Sequence, residues 1–173
     1  MVREYLWKLL AKVVSTPTIR DYLIERAKLT PYFHLEGYMN RYWLFNAYDY
    51  DVKDKYKRKK ESISWLPSIR IHHILREDLH RHLHDHPWDA RTIILKGWYD
   101  EALLLDGTYR REAGDTRAIK FGKYHSIKRV SEGGVWTMFF TWKYVGTWGF
   151  LVDGVKIPWR EYLKETNEPI NTP

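Results

Sequence analysis

Histidines stand at every second position, His80, His82, His84 and His86, and run into Pro87-Trp88-Asp89. Imidazole nitrogen is a good donor to Zn, Fe, Ni or Cu, with bonds of about 2.0–2.1 Å for zinc. Alternate side chains of an extended strand share a face, about 6.7 Å apart before twist, so two neighbours on this ladder are placed to share one ion. A site built from one strand needs a third ligand from elsewhere in the fold, and His125 is the best candidate. Four imidazoles in alternation, with His125 following a glycine turn, suit a nitrogen-rich metal site better than a surface strand facing water. His72 and His73 fall on a neighbouring predicted strand, as outer partners or packing residues. His34 has no metal context.

Two amphipathic segments precede the elements that must hold these residues. Val2, Leu6, Leu9, Leu10, Val13 and Val14 recur at helical spacing with Arg3, Glu4, Lys8 and Lys12 opposite, which predicts a first helix whose apolar stripe docks on the core. Thr16-Pro17 suits a cap and first helical position, and Ile19, Tyr22, Leu23 and Ala27 continue a stripe that Thr30-Pro31 stops. From about Tyr38 the pattern changes to short aromatic and β-branched runs broken at Asp106-Gly107, Gly133-Gly134 and Asp153-Gly154. Strands are predicted near 40–48, 69–76, 81–86, 91–105, 108–112, 116–121, 124–130, 135–143, 147–152 and 155–157, with a short helix over 159–165. Such closely spaced strands predict a mainly β sandwich, jelly roll or barrel. Residues 1–173 read as a single domain: a helical segment at 1–31, a β barrel at 38–158 and the closing helix.

Composition narrows the chemistry. A chain of 173 residues that is 44% hydrophobic, with nine Trp and thirteen Tyr, has ample material for one packed core. It contains no cysteine, which excludes disulfides, thiolate ligands and a cysteine nucleophile and fits a reducing compartment. Any metal must be held by nitrogen and oxygen. No apolar run approaches the roughly 18 residues of a membrane span, so a soluble, cytoplasmic protein is expected. Lys plus Arg exceed Asp plus Glu by 29 to 22. Much of that excess is Lys53, Lys55, Lys57, Arg58, Lys59 and Lys60, a stretch that with Tyr50 and Tyr56 leaves a weak nucleic-acid contact open, although such runs are usually solvated loops. A homodimer is also left open. The phosphate loop, the dinucleotide fingerprint, the nucleophile elbow and the zinc-protease helix are all missing from the sequence.

The segment from His84 to Gly97, two histidines, a proline turn and an apolar strand closed by glycine, resembles the first motif of the cupin superfamily. Gly122-Lys123-Tyr124-His125 is similar to the core of the second, and the turns at Asp106-Gly107 and Gly114-Asp115-Thr116 lie in the expected intermotif region. The resemblance covers roughly residues 69 to 152. It implies a double-stranded β-helix, the cupin or jelly-roll barrel, binding one divalent metal through His84, His86 and His125. Many cupins carry a glutamate where Ala90 and Arg91 stand here, and its absence resembles the three-histidine thiol dioxygenases. Pairing His82 with His84 instead would give Asp89 the carboxylate role, but the glycine spacing then fits less well.

Arg91, if turned to the barrel interior, is the candidate to hold a substrate carboxylate or phosphate; the alternative is an ion pair with Asp85, Asp89 or Glu101. Asp89 is also a candidate to accept the second N–H of a ligand histidine. The expected function is a mononuclear non-haem Fe(II) oxygenase acting on a small substrate. Zn, Mn or Ni in the same site would give an isomerase or hydrolase, and a binding cupin without turnover is the alternative from another class.

Overall fold

Alternating patterns from Tyr38 onward become strands wherever a second strand lies close enough to take up their backbone hydrogen bonds. The computed structural model describes residues 2–50, 58–61, 63 and 65–166. Helices α1 (Val2–Val14) and α2 (Pro17–Lys28) precede β1 (Met39–Phe45), β2 (Tyr48–Tyr50), β3 (Arg58–Glu61) and β4 (Ser68–Ile74). There follow β5 (Trp88–Lys96), β6 (Trp98–Leu103), β7 (Gly107–Glu112), β8 (Thr116–Ile119) and β9 (His125–Val130). The chain continues through β10 (Val135–Tyr144), β11 (Gly149–Val152), β12 (Val155–Pro158) and α3 (Trp159–Thr166).

Five antiparallel strands in the order β1-β4-β10-β5-β8 form the first layer. The second is assembled from β7-β6-β9 and the β11-β12 hairpin, joined by a seam at His84, which bridges His125 on one side and Phe150 on the other. Leu35, Tyr38, Met39, Ile74, Ile94, Tyr99, Ile127 and Val135 fill one end of the space between the layers. On the other side of the first layer, Ile71, Ile93, Leu95, Met138 and Phe140 pack against Ala11, Val14, Ile24 and Ala27 of the helices. β5 is therefore covered on both faces, which is why its sequence is a nearly continuous apolar run.

Most predicted strands are present, with three differences. The run at 91–105 is two strands broken at Gly97, whose φ is +79°; a Cβ there would lie 2.5 Å from Ser131 Oγ and 2.7 Å from the Gly134 carbonyl, so only glycine fits. β2 and β3 were not predicted, and residues 81–86 form no strand: bends at 81 and 82 break the histidine alternation, leaving only the bridge at His84. Of the basic stretch, Lys53, Lys55 and Lys57, with Tyr56, lie outside the described residues.

The helices correct a further expectation. α1 turns Trp7, Ala11 and Val14 to the core, while Val2, Leu6, Leu9 and Val13 are exposed, Val2 to 74% and Leu6 to 56%. Apart from Val14, most of the stripe that looked core-facing points outward: the helix seats Trp7, Ala11 and Val14 on the sheet, and on that side Arg91 of β5 pairs with Glu4 and lies over the Trp7 ring. Thr16 occupies the N-cap position of α2 without capping it; its hydroxyl donates back to the Val13 carbonyl. Among the described residues no helix is long and apolar enough to cross a membrane.

Candidate metal centre

Two reciprocal backbone hydrogen bonds, His84 N–H to the His125 carbonyl and His125 N–H to the His84 carbonyl, both 2.9 Å, set these residues directly opposite each other. Such a pair projects its side chains to the same face, and His86, two residues on, joins them. Asp85 points the other way. Its buried carboxylate accepts from the Gly149 amide at 2.8 Å and from Lys156 Nζ at 2.6 Å, pinning the loop to the β11-β12 hairpin. Gly122, with φ +73°, makes the turn that leads into β9 and presents His125 at its first position.

The three rings lie 4.8 to 5.3 Å apart between centroids, all buried, and their candidate ligand nitrogens fall within 4.8 Å of one another. His86 Nε2 and His125 Nε2 are 2.8 Å apart. The other nitrogen of His125, Nδ1, is 2.7 Å from Glu101 Oε1. A carboxylate at that distance accepts a hydrogen bond from Nδ1–H, fixing the tautomer so that the Nε2 lone pair points toward His86. Glu101 is completely buried and also paired with Arg111 and Arg117. Burial pushes its carboxyl upward, but the His125 hydrogen bond and the two arginine charges outweigh that and hold it below the usual range. On the far side of His84, Asp78 accepts from the Tyr38 hydroxyl and the Ile127 amide, and its Oδ2 lies 3.7 Å from His84 Nδ1, near but beyond hydrogen-bond length.

The donor set fits a divalent ion. Nitrogens bound to one tetrahedral ion through ~2.0–2.1 Å bonds lie about 3.3 Å apart, between the 2.8 Å of the His86–His125 pair and the 4.8 Å that bounds the cluster. Two lone pairs facing each other at 2.8 Å need a proton or a cation between them. The cluster is thus three imidazoles close enough together to hold a divalent metal, backed by a carboxylate that orients one of them.

Burial lowers the His84 pKa to about 4, with the Asp78 carboxylate opposing, and holds His86 well below its ordinary value. His84 and His86 are therefore neutral at pH 7, the form in which imidazole binds a metal. An unfolded chain protonates His84 near pH 6.5 whereas the folded one does so only near 4, so in that window the unfolded state binds more protons and stability falls with pH. His84 alone is expected to cost the metal-free protein about 3 kcal/mol between pH 7 and 4. Its thermal midpoint should fall on acidification through that window; a flat profile would contradict the buried, neutral ring.

The three imidazoles line a cavity between the layers, with about 60 Å³ open to the centres of water molecules. Ile119, Ile127 and Phe139 contribute apolar wall, and Arg41, Arg70 and His72 also face it. Other expected site residues lie elsewhere. Arg91 is on the opposite face of β5, paired with Glu4 and stacked on Trp7, so the expected substrate contact does not form there; the Asp85, Asp89 and Glu101 pairings are likewise replaced. Asp89 accepts from Lys120 Nζ and the Phe121 amide rather than from a ligand histidine. His82 Nδ1 meets the Tyr162 hydroxyl at 2.9 Å, and His80 packs on Phe150 and Tyr162, so both serve the α3 contact. His73 stacks on Trp136 and His34 accepts from the Arg41 amide.

Glu101, Asp78 and Arg41 were missed. Asp100-Glu101 is an adjacent acidic pair on a strand, so one member had to face inward, but nothing in the sequence says which. Asp100 is the outward member, held by Arg110 and Arg129.

No family model and no curated protein matches the chain. Among solved structures it is similar to the DMSP lyase DddQ from Ruegeria pomeroyi DSS-3, with a TM-score of 0.51 and 14% identity over 82% of this chain and 74% of that one. A structure described for the DMSP lyases RdDddP and RnDddQII gives 0.42 at 12% identity, covering 61% of this chain and 47% of that one. Oxalate decarboxylase of Bacillus subtilis, described with Mn(II) centres, gives 0.47 at 12%, covering 86% and 36%. The chain thus spans less than half of the latter two. The likeness to DddQ is one of fold, a jelly-roll barrel of the cupin type.

Proposed function

We propose that this cupin-fold chain is a metal-dependent enzyme in which His84, His86 and His125 hold one divalent ion, and that it acts as a mononuclear non-haem Fe(II) oxygenase on a small substrate. The observation that carries the proposal is the convergence of three buried, mutually close imidazoles on the wall of a cavity between the layers. A bound ion, held by three neutral donors, would keep positions open on the cavity side and supply Lewis-acid or one-electron chemistry there. The chain's own contribution is position and dryness. Glu101 holds His125 in one tautomer, the 84–86 loop is fixed by Asp85, and Ile119, Ile127 and Phe139 give the cavity part of an apolar wall. Space of this size admits a substrate of a few heavy atoms.

Iron is favoured over Zn, Mn or Ni by the likeness of three histidines without a carboxylate ligand to thiol dioxygenases. Anaerobic reconstitution with Fe(II), then oxygen uptake across thiols and small organic acids, tests this reading. Substrate-dependent uptake at one iron per chain is expected. Stoichiometric iron with silence across a broad panel would overturn the oxygenase and favour a binding cupin.

A further inference from the structure

We infer that Arg41 is the anion-binding pole of the cavity and that the ligand is a small carboxylate, one end on this guanidinium and the other toward the three imidazoles. Only the second end rests on the metal-centre reading. β1 and β4 pair with Arg41 opposite His72 and Trp43 opposite Arg70, so Arg41, Arg70 and His72 share the inner face of the first layer. Arg41 is 7% exposed. Its Nε donates to the Phe33 carbonyl at 2.7 Å, and its guanidinium carbon lies 5.1 Å from the Tyr32 ring centre and 5.3 Å from that of Phe33. These contacts fix the plane of the group and use the Nε edge, leaving the two Nη nitrogens as the donor end.

Among the described residues no carboxylate pairs with Arg41. The interior acids have other partners: Glu101 is held by His125, Arg111 and Arg117, and Asp78 by Tyr38 and the Ile127 amide. His72, which also faces the cavity, is an imidazole, neutral or cationic, and so offers Arg41 no counter-charge. A buried cation in such surroundings is costly unless an anion accompanies it. Two coplanar oxygens match the Nη pair in a two-pronged contact, which a planar carboxylate provides. The expected substrate anchor is thus not Arg91, on the outer face, but an arginine from the opposite edge of the same layer.

Isothermal titration of succinate and of neutral succinamide into the metal-free and the Zn(II)-loaded protein tests this. Succinate is expected to bind, with succinamide about 10- to 100-fold weaker, as befits loss of charge-assisted hydrogen bonds. Arg41→Gln should weaken succinate by a similar factor while leaving the zinc dissociation constant unchanged. Arg41→Lys, which keeps the charge and loses the fork, should fall between, and it carries the test if the glutamine variant does not fold. Succinate affinity equal to wild type in a folded Arg41→Gln or Arg41→Lys protein would overturn the inference. So would displacement of succinate by inorganic phosphate at lower concentration, since the site would then prefer a tetrahedral anion. Arg41-dependent succinate binding in a chain that takes up no metal would refute the metal reading and leave the carboxylate pole standing; stoichiometric zinc with no Arg41 dependence would do the reverse.

Discussion

Replacing His125 by alanine is expected to abolish stoichiometric metal uptake while leaving a folded domain. The residue contributes one of three imidazoles, and its ring lies between His86 Nε2 at 2.8 Å and Glu101 Oε1 at 2.7 Å. Truncation leaves two donors, both from the 84–86 loop, and the loss should exceed the 10- to 100-fold that follows from altering a group that merely orients a ligand. The backbone bridge to His84 is made by main-chain atoms, so the seam within the second layer stays joined. His84→Ala and His86→Ala should behave alike. His80→Ala should keep its metal, because that ring packs on Phe150 and Tyr162 instead of entering the cluster. Elemental analysis of untagged protein, with zinc titration, reads the difference, and full occupancy in the His125 variant would remove the third ligand from the site.

Glu101→Gln should be the most damaging change outside the triad. The side chain is isosteric, yet it removes the negative charge that His125, Arg111 and Arg117 share, the two arginines being 24% and 16% exposed. Breaking a buried pair from one side leaves the partner charges uncompensated, and about 3 kcal/mol of destabilisation is expected. Metal affinity should fall 10- to 100-fold as His125 loses the carboxylate that fixes its tautomer. Asp100→Asn is the internal contrast. Its partners Arg110 and Arg129 are 46% and 70% exposed, so solvent screens them and less than about 1 kcal/mol should be lost. Equal unfolding midpoints for the two variants would show that burial at Glu101 does not govern the effect.

The cupin jelly-roll barrel was legible because its signals are local. Alternation and turn pairs such as Asp106-Gly107 and Gly133-Gly134 mark strands from residues a few positions apart. The strands near 81–86 and at β2 and β3 were misjudged for the same reason reversed. Histidine alternation looks like a strand, yet the 84–86 loop has partners only at one rung, while β2 and β3 pair with each other and are short.

What the sequence determined by itself was the kind of donor, nitrogen without sulfur, and the spacing that lets His84 and His86 share a side. Which faces turn inward was decided by tertiary structure. A period of two tells that Arg91, Ile93 and Leu95 lie together on one face of β5 and Thr92 and Ile94 on the other, but both faces are buried, one by helices and one by the second layer. Neither polarity nor hydrophobicity could separate them. The same ambiguity turned the apolar stripe of α1 outward, put Arg91 beneath that helix, and left Arg41 and Glu101 to be found only where distant strands meet.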